Sequence, residues 1–65
     1  MNIDELKGEW KQLKGQAKQK WGELTDDELD QAEGDRDRLV GLVQEKYGKA
    51  REDAEREIDA WLAKL

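Results

Sequence analysis

The sequence predicts an all-α protein, a small bundle of about four short helices, and three observations carry that prediction. Proline is absent from the 65 residues. Apolar residues recur at steps of three and four along most of the chain, the spacing of one helical face. Glycines and capping residues fall where those runs break. The first run, about 3 to 21, sets Ile3, Leu6, Trp10, Leu13, Ala17 and Trp21 on one face. Gly22 then suits the left-handed position that ends many helices. Thr25 and Glu28 read as a capping box, and Asp26 and Asp27 complement the positive end of the helix dipole. The second helix that starts there is short, carries Leu29 and Ala32, and stops near Gly34. A third, about 35 to 47, places Leu39, Leu42, Val43 and Tyr47 on one side, with Gly48 as its stop signal. The last, about 50 to 64, aligns Ala50, Ala54, Ile58, Trp61, Leu62 and Leu65, and sets Glu52 four residues before Arg56 in the favourable orientation. The buried side is expected to comprise Leu6, Trp10, Leu13, Trp21, Leu39, Leu42, Val43, Tyr47, Ile58, Trp61 and Leu62.

Sliding the chain against itself by 26 residues pairs Leu13, Gly15 and Ala17 with Leu39, Gly41 and Val43. The same offset pairs Lys20-Trp21-Gly22 with Lys46-Tyr47-Gly48, and Gly8 with Gly34. This reads as a weak duplication of a helical hairpin whose two copies bury their apolar stripes against each other. All 65 residues are read as one domain.

Composition narrows the setting. A chain this short buries only about 60% of the surface its unfolded form exposes, so the core must be thin. Twelve Lys and Arg stand against 17 Asp and Glu, for a net charge of -5, and 45% of residues are charged against a usual value of about 25%. Leu, Ile and Val make up just under about a fifth of the chain, and Phe is absent, close to the composition of disordered proteins. Modest stability, or folding under some condition only, is expected. The absence of Cys rules out a disulfide framework and fits a reducing cytoplasm. The N-terminus has no basic and apolar leader pattern, and no run approaches the roughly 18 apolar residues of a membrane span. The expectation is a mature, soluble, cytoplasmic chain.

The glycines form a pattern of their own. Gly8, Gly15 and Gly22 are spaced by sevens, as are Gly34, Gly41 and Gly48. At about 100° per residue, Gly8 and Gly15 project away from the apolar face of the first helix, and Gly41 away from that of the third. Each interior Gly costs about 1 kcal/mol relative to Ala. Helix ends account for Gly22, Gly34 and Gly48. For Gly8, Gly15 and Gly41 two readings stand: a flat surface for close approach of a partner, or weakening that makes folding conditional.

Taken in order, Gly8-Glu-Trp10-Lys-Gln-Leu-Lys-Gly15, Trp21-Gly22-Glu-Leu24-Thr25-Asp26-Asp27, Gly34, and Leu39-Val-Gly41-Leu-Val-Gln44-Glu45-Lys-Tyr47-Gly48 resemble the bacterial CsbD-like family. The resemblance covers most of the chain and is specific as an ordered string. The stretch from Ile58 to Leu65 is less diagnostic. What the resemblance implies is a small helical cytoplasmic protein associated with general stress responses, from a family without an established molecular activity or cofactor.

Chemical candidates are few. Without His, Cys or Ser, only Thr25 and Tyr47 carry hydroxyls, and Thr25 is spoken for as a cap. Acid-base work by a carboxyl needs a desolvating cleft, for which a chain this size has little interior. No enzyme activity, small-molecule substrate or cofactor is expected. A calcium loop starting at Asp26 would need Gly at position 31 and Glu at position 37, which hold Gln31 and Asp37, so no metal site is expected. Lys11, Lys14, Lys18 and Lys20 make an acid-free stretch between Trp10 and Trp21, but a net charge of -5 opposes nucleic acid and anionic membranes at long range. The leading functional reading is a non-catalytic stress protein that acts as a hydrophilic protectant or accessory. The alternative is a protein-protein adaptor or self-associating module whose interaction face is Gly8, Gly15 and Gly41 with Lys11 and Lys18.

Overall fold

The computed structural model describes residues 2–65, which form α1 (Ile3–Gly8), α2 (Trp10–Lys20), α3 (Asp26–Ala32), α4 (Arg36–Tyr47) and α5 (Arg51–Lys64). Asn2 caps α1 by accepting the Glu5 N–H at 2.8 Å. The single helix expected over 3 to 21 is divided at Glu9, whose backbone (φ -109°, ψ 17°) lies outside the helical region. Hydrogen bonding continues across the break, from the Glu9 N–H to the Glu5 carbonyl and from Gln12 and Leu13 to the Glu9 carbonyl. The result is a kink beside Gly8, where the backbone is least restrained. It leans α1 onto the turn between α3 and α4, where Gly34 comes up against Leu6, Lys7 and Trp10.

Helix α2 does not end in a left-handed glycine, and Gly22 has no positive φ. Trp21 itself turns out of the helix (φ -123°, ψ 77°), which carries its indole into the core at 1% exposure. Thr25 then starts α3 with the expected capping box, both reciprocal hydrogen bonds being present. Leu24 and Leu29, both fully buried, occupy the two positions of a hydrophobic staple around that cap. At the other end of α3, Glu33 (φ 55°) and Gly34 (φ 74°) are both left-handed and turn the chain into α4. Carbonyls in the last turn of α3 that lack helical partners are taken up by neighbours. The Trp10 indole donates to the Leu29 carbonyl at 2.7 Å, the Arg38 guanidinium to that of Gln31, and the Asp35 N–H to that of Ala32.

Asp35 caps α4, and Gly48 ends it left-handed, with the Gly48 and Lys49 N–H groups both reaching the Gln44 carbonyl. Ala50 gives α5 no side-chain cap, and Glu52 and Asp53 in the first turn supply the negative charge its N-terminus favours. α2 packs on α3, α3 on α4 and α4 on α5. α2 and α4 begin 26 residues apart, matching the offset read from the sequence.

One apolar core joins the helices, and no polar or charged residue is buried among the described residues. It differs from the expected core in taking in Leu24 and Leu29, both fully buried, and in the side that α4 turns inward. The buried arc runs from Leu39 through Val43 to Val40, which leaves Leu42 half-buried at its edge. Tyr47 lies in the last turn and is 36% exposed, because its hydroxyl reaches across the surface to accept the Glu23 N–H at 3.1 Å. Outside the core, α4 and α5 are joined by ions. Arg36 grips Asp59 through two parallel bonds at 2.8 and 2.9 Å and reaches Glu55 at 3.5 Å. The Glu52–Arg56 pair is exposed and loose at 4.0 Å, and so adds little.

Candidate interaction face

Gly8, Gly15 and Gly41 share one property. A methyl group built on any of them would meet nothing within 4 Å. Their missing side chains therefore serve no close approach inside the bundle, and Gly15 and Gly41, inside α2 and α4, lower helix stability without an intramolecular return. Gly34 is the opposite case: a Cβ there would fall 2.8 Å from the Leu6 carbonyl oxygen and from the Lys7 Cα. Replacing Gly15 and Gly41 by Ala is expected to add about 0.5–1 kcal/mol of stability each. Thermal unfolding followed by circular dichroism should show the midpoint rising by several degrees; a fall would mean that the open faces are covered in solution.

The five residues of the expected face belong to three helices: Gly8 ends α1, Lys11, Gly15 and Lys18 lie on α2, and Gly41 lies on α4. Gly41 lines an open groove of about 470 Å³ between α3 and α4, together with Glu28, Gln31, Arg38, Leu42 and Glu45. Neither Gly8 nor the α2 residues Lys11, Gly15 and Lys18 reach that groove. Lys11 and Gly15 are exposed on α2. Lys18 is half-buried and folds back to donate to the Leu24 carbonyl at 2.6 Å, supporting the loop that follows α2. Nearby lysines are also engaged within the fold: Lys14 pairs with Asp30, and Lys46 with Glu28 at 3.0 Å. The Lys14 and Lys46 ammonium groups are raised above the usual lysine value by these carboxylates. Glu28 is held below the usual range, first by the Thr25 backbone N–H and then by Lys46.

A second cluster, unseen in the sequence, lies where α2 ends. The Trp21 indole donates to Glu57 at 2.8 Å, and the other Glu57 oxygen accepts from Lys49. Trp21 also stands edge-on to Trp61, with ring centroids 5.1 Å apart at 70°. The available signal was the need of a buried indole N–H for an acceptor, but nothing in the spacing names Glu57, 36 residues away. Every resolved carboxyl shift among the described residues is downward: Glu28, Glu57, and Asp59 under the Arg36 guanidinium. These carboxyls are tuned to stay ionised, the opposite of what a general acid needs. Among the described residues no group of acidic side chains converges as a metal site, and no helix is long and apolar enough to cross a membrane.

A thin apolar core under a shell of paired charges, with glycines on open helix faces, defines a small helical bundle. The CsbD-like family model matches residues 4–56, and the chain belongs to this family. It is 54% identical over 61 residues to the UPF0337 protein YjbJ of Escherichia coli O6:H1, covering 94% of this chain and 88% of the relative. To a UPF0337 protein of Bordetella pertussis it is 60% identical over 58 residues, covering 89% and 88%. To a UPF0337 protein of Pectobacterium atrosepticum it is 56% identical over 61 residues, covering 94% and 88%.

Proposed function

We propose that this protein is a non-catalytic accessory of the bacterial stress response that acts as a hydrophilic protectant, through its hydrated charged surface. The observation that carries this reading is the distribution of charge. Although 45% of residues are charged, none is buried among the described residues, and the resolved carboxyl shifts all favour the ionised form. Such a shell binds water and keeps neighbouring molecules apart without selecting among them. The stress setting comes from the family. The test is survival of a labile enzyme through drying or freezing, with an equal mass of an unrelated inert protein as the comparison. Greater protection by this protein is expected; equal protection would remove the claim.

The openness of Gly8, Gly15 and Gly41 favours a second reading, an adaptor or self-associating module. Glycine on an exposed helix lets a second helix come close, and the groove beside Gly41, with Leu42 at its margin, offers some apolar surface. An adaptor should lose its partner when these glycines become Ala, whereas a protectant should tolerate the change.

A further inference from the structure

The two hydrogen-bonded indoles are held in different ways. Trp10 donates to the Leu29 backbone carbonyl, an acceptor that never titrates. Trp21 donates to the carboxylate of Glu57. That carboxylate joins three parts of the chain: the end of α2 through Trp21, the turn between α4 and α5 through Lys49, and α5, to which it belongs. The cations facing it are Lys49 and, further away, Lys20 from the last turn of α2. Lys49 is in turn placed over the Tyr47 ring, 5.7 Å from its centroid, and Tyr47 holds the Glu23 N–H in the loop after α2. One ionisable group thus secures the corner behind which Trp21 and Trp61 pack edge to face.

We propose that Glu57 is an acid-sensitive catch, whose protonation releases the Trp21 corner from α5 while the helices remain formed, opening the Trp21–Trp61 pair to water. The sign follows from the charges. Lys49 holds the Glu57 carboxyl below the usual range, with the Trp21 N–H helping and burial opposing. The contribution of this group to stability is therefore complete above the ordinary Glu value of about 4.3, and is lost as pH falls through the lower value of the folded state. Protonation removes the partner of the Lys49 ammonium and weakens the acceptor of the Trp21 indole in one event.

The indole N–H resonances of the full chain test this directly between neutral pH and pH 2.5. The Trp21 resonance is expected to shift with a midpoint below the ordinary Glu range and to exchange faster with water, while the Trp10 resonance and the far-ultraviolet helical signal hold. In Glu57→Gln the side chain is neutral at every pH, like the protonated carboxyl, so the Trp21 N–H should exchange quickly already at neutral pH and its pH-dependent shift should be lost. In Lys49→Met it should remain, with its midpoint moved to higher pH. Trp21 and Trp10 changing together with loss of helix would overturn the proposal, as would a Trp21 profile unaltered in Glu57→Gln. Should Glu57→Gln not fold, an unmoved midpoint in Lys49→Met overturns it by itself.

Discussion

Gly34→Ala is expected to destabilise the fold by about 2–5 kcal/mol, which combines the left-handed backbone penalty of a non-glycine residue with the cost of overpacking. The backbone at Gly34 has φ 74°, and an added Cβ would sit 2.8 Å from the Leu6 carbonyl oxygen and the Lys7 Cα and 3.1 Å from the Trp10 Cβ. Two of those contacts are backbone, so relief requires α1 to move off the α3–α4 turn. A domain of this length has roughly 3–10 kcal/mol of stability in all, so the loss is a large share of it. Gly48→Ala is the matched control. It too has a positive φ, 63°, but the space around it is open, so it should lose only the backbone penalty of about 1–2 kcal/mol. Urea unfolding of both variants checks the difference; equal losses would mean that the close approach of α1 carries no weight.

Trp21→Ala is expected to cost about 3–5 kcal/mol and to leave the chain unfolded or nearly so at 37 °C. Trp21 is the largest fully buried side chain and the direct contact between the end of α2 and Trp61. Its removal opens a cavity in a core with few residues able to collapse into it, and it strips Glu57 of a donor. Trp21→Phe keeps most of the volume but not the N–H, so it should lose much less. A cooperative melt in Trp21→Phe and none in Trp21→Ala is the expected pair of results.

The elements that were legible in the sequence are those set by local chemistry. The capping box at Thr25, the left-handed stop at Gly48 and the apolar stripe of α5 all follow from residues within a turn or two of each other. Long-range geometry was not legible. The kink at Glu9 exists because α1 must lie on the α3–α4 turn, and no local breaker stronger than Gly8 announces it. Leu24 was readable as the outer half of a staple with Leu29, but it falls outside the helical period. Val40 was missed because α4 is covered by both α3 and α5, which widens its buried arc beyond a single stripe. Among the residues expected to form the interaction face, periodicity correctly put Gly8, Gly15 and Gly41 on open surface. It could not show that Lys18 folds back onto the Leu24 carbonyl, since that carbonyl is placed by the loop.

The central claim, that the protein works through its charged shell and not through its glycine faces, is tested most directly by an enzyme-protection assay on the chain carrying Gly8→Ala, Gly15→Ala and Gly41→Ala together. The substitutions leave every charge in place and meet no neighbouring atom within 4 Å. The expected result is protection during drying equal, mass for mass, to that of the unaltered protein. Loss of protection in a variant that still folds would contradict the account and make the glycine faces the working surface.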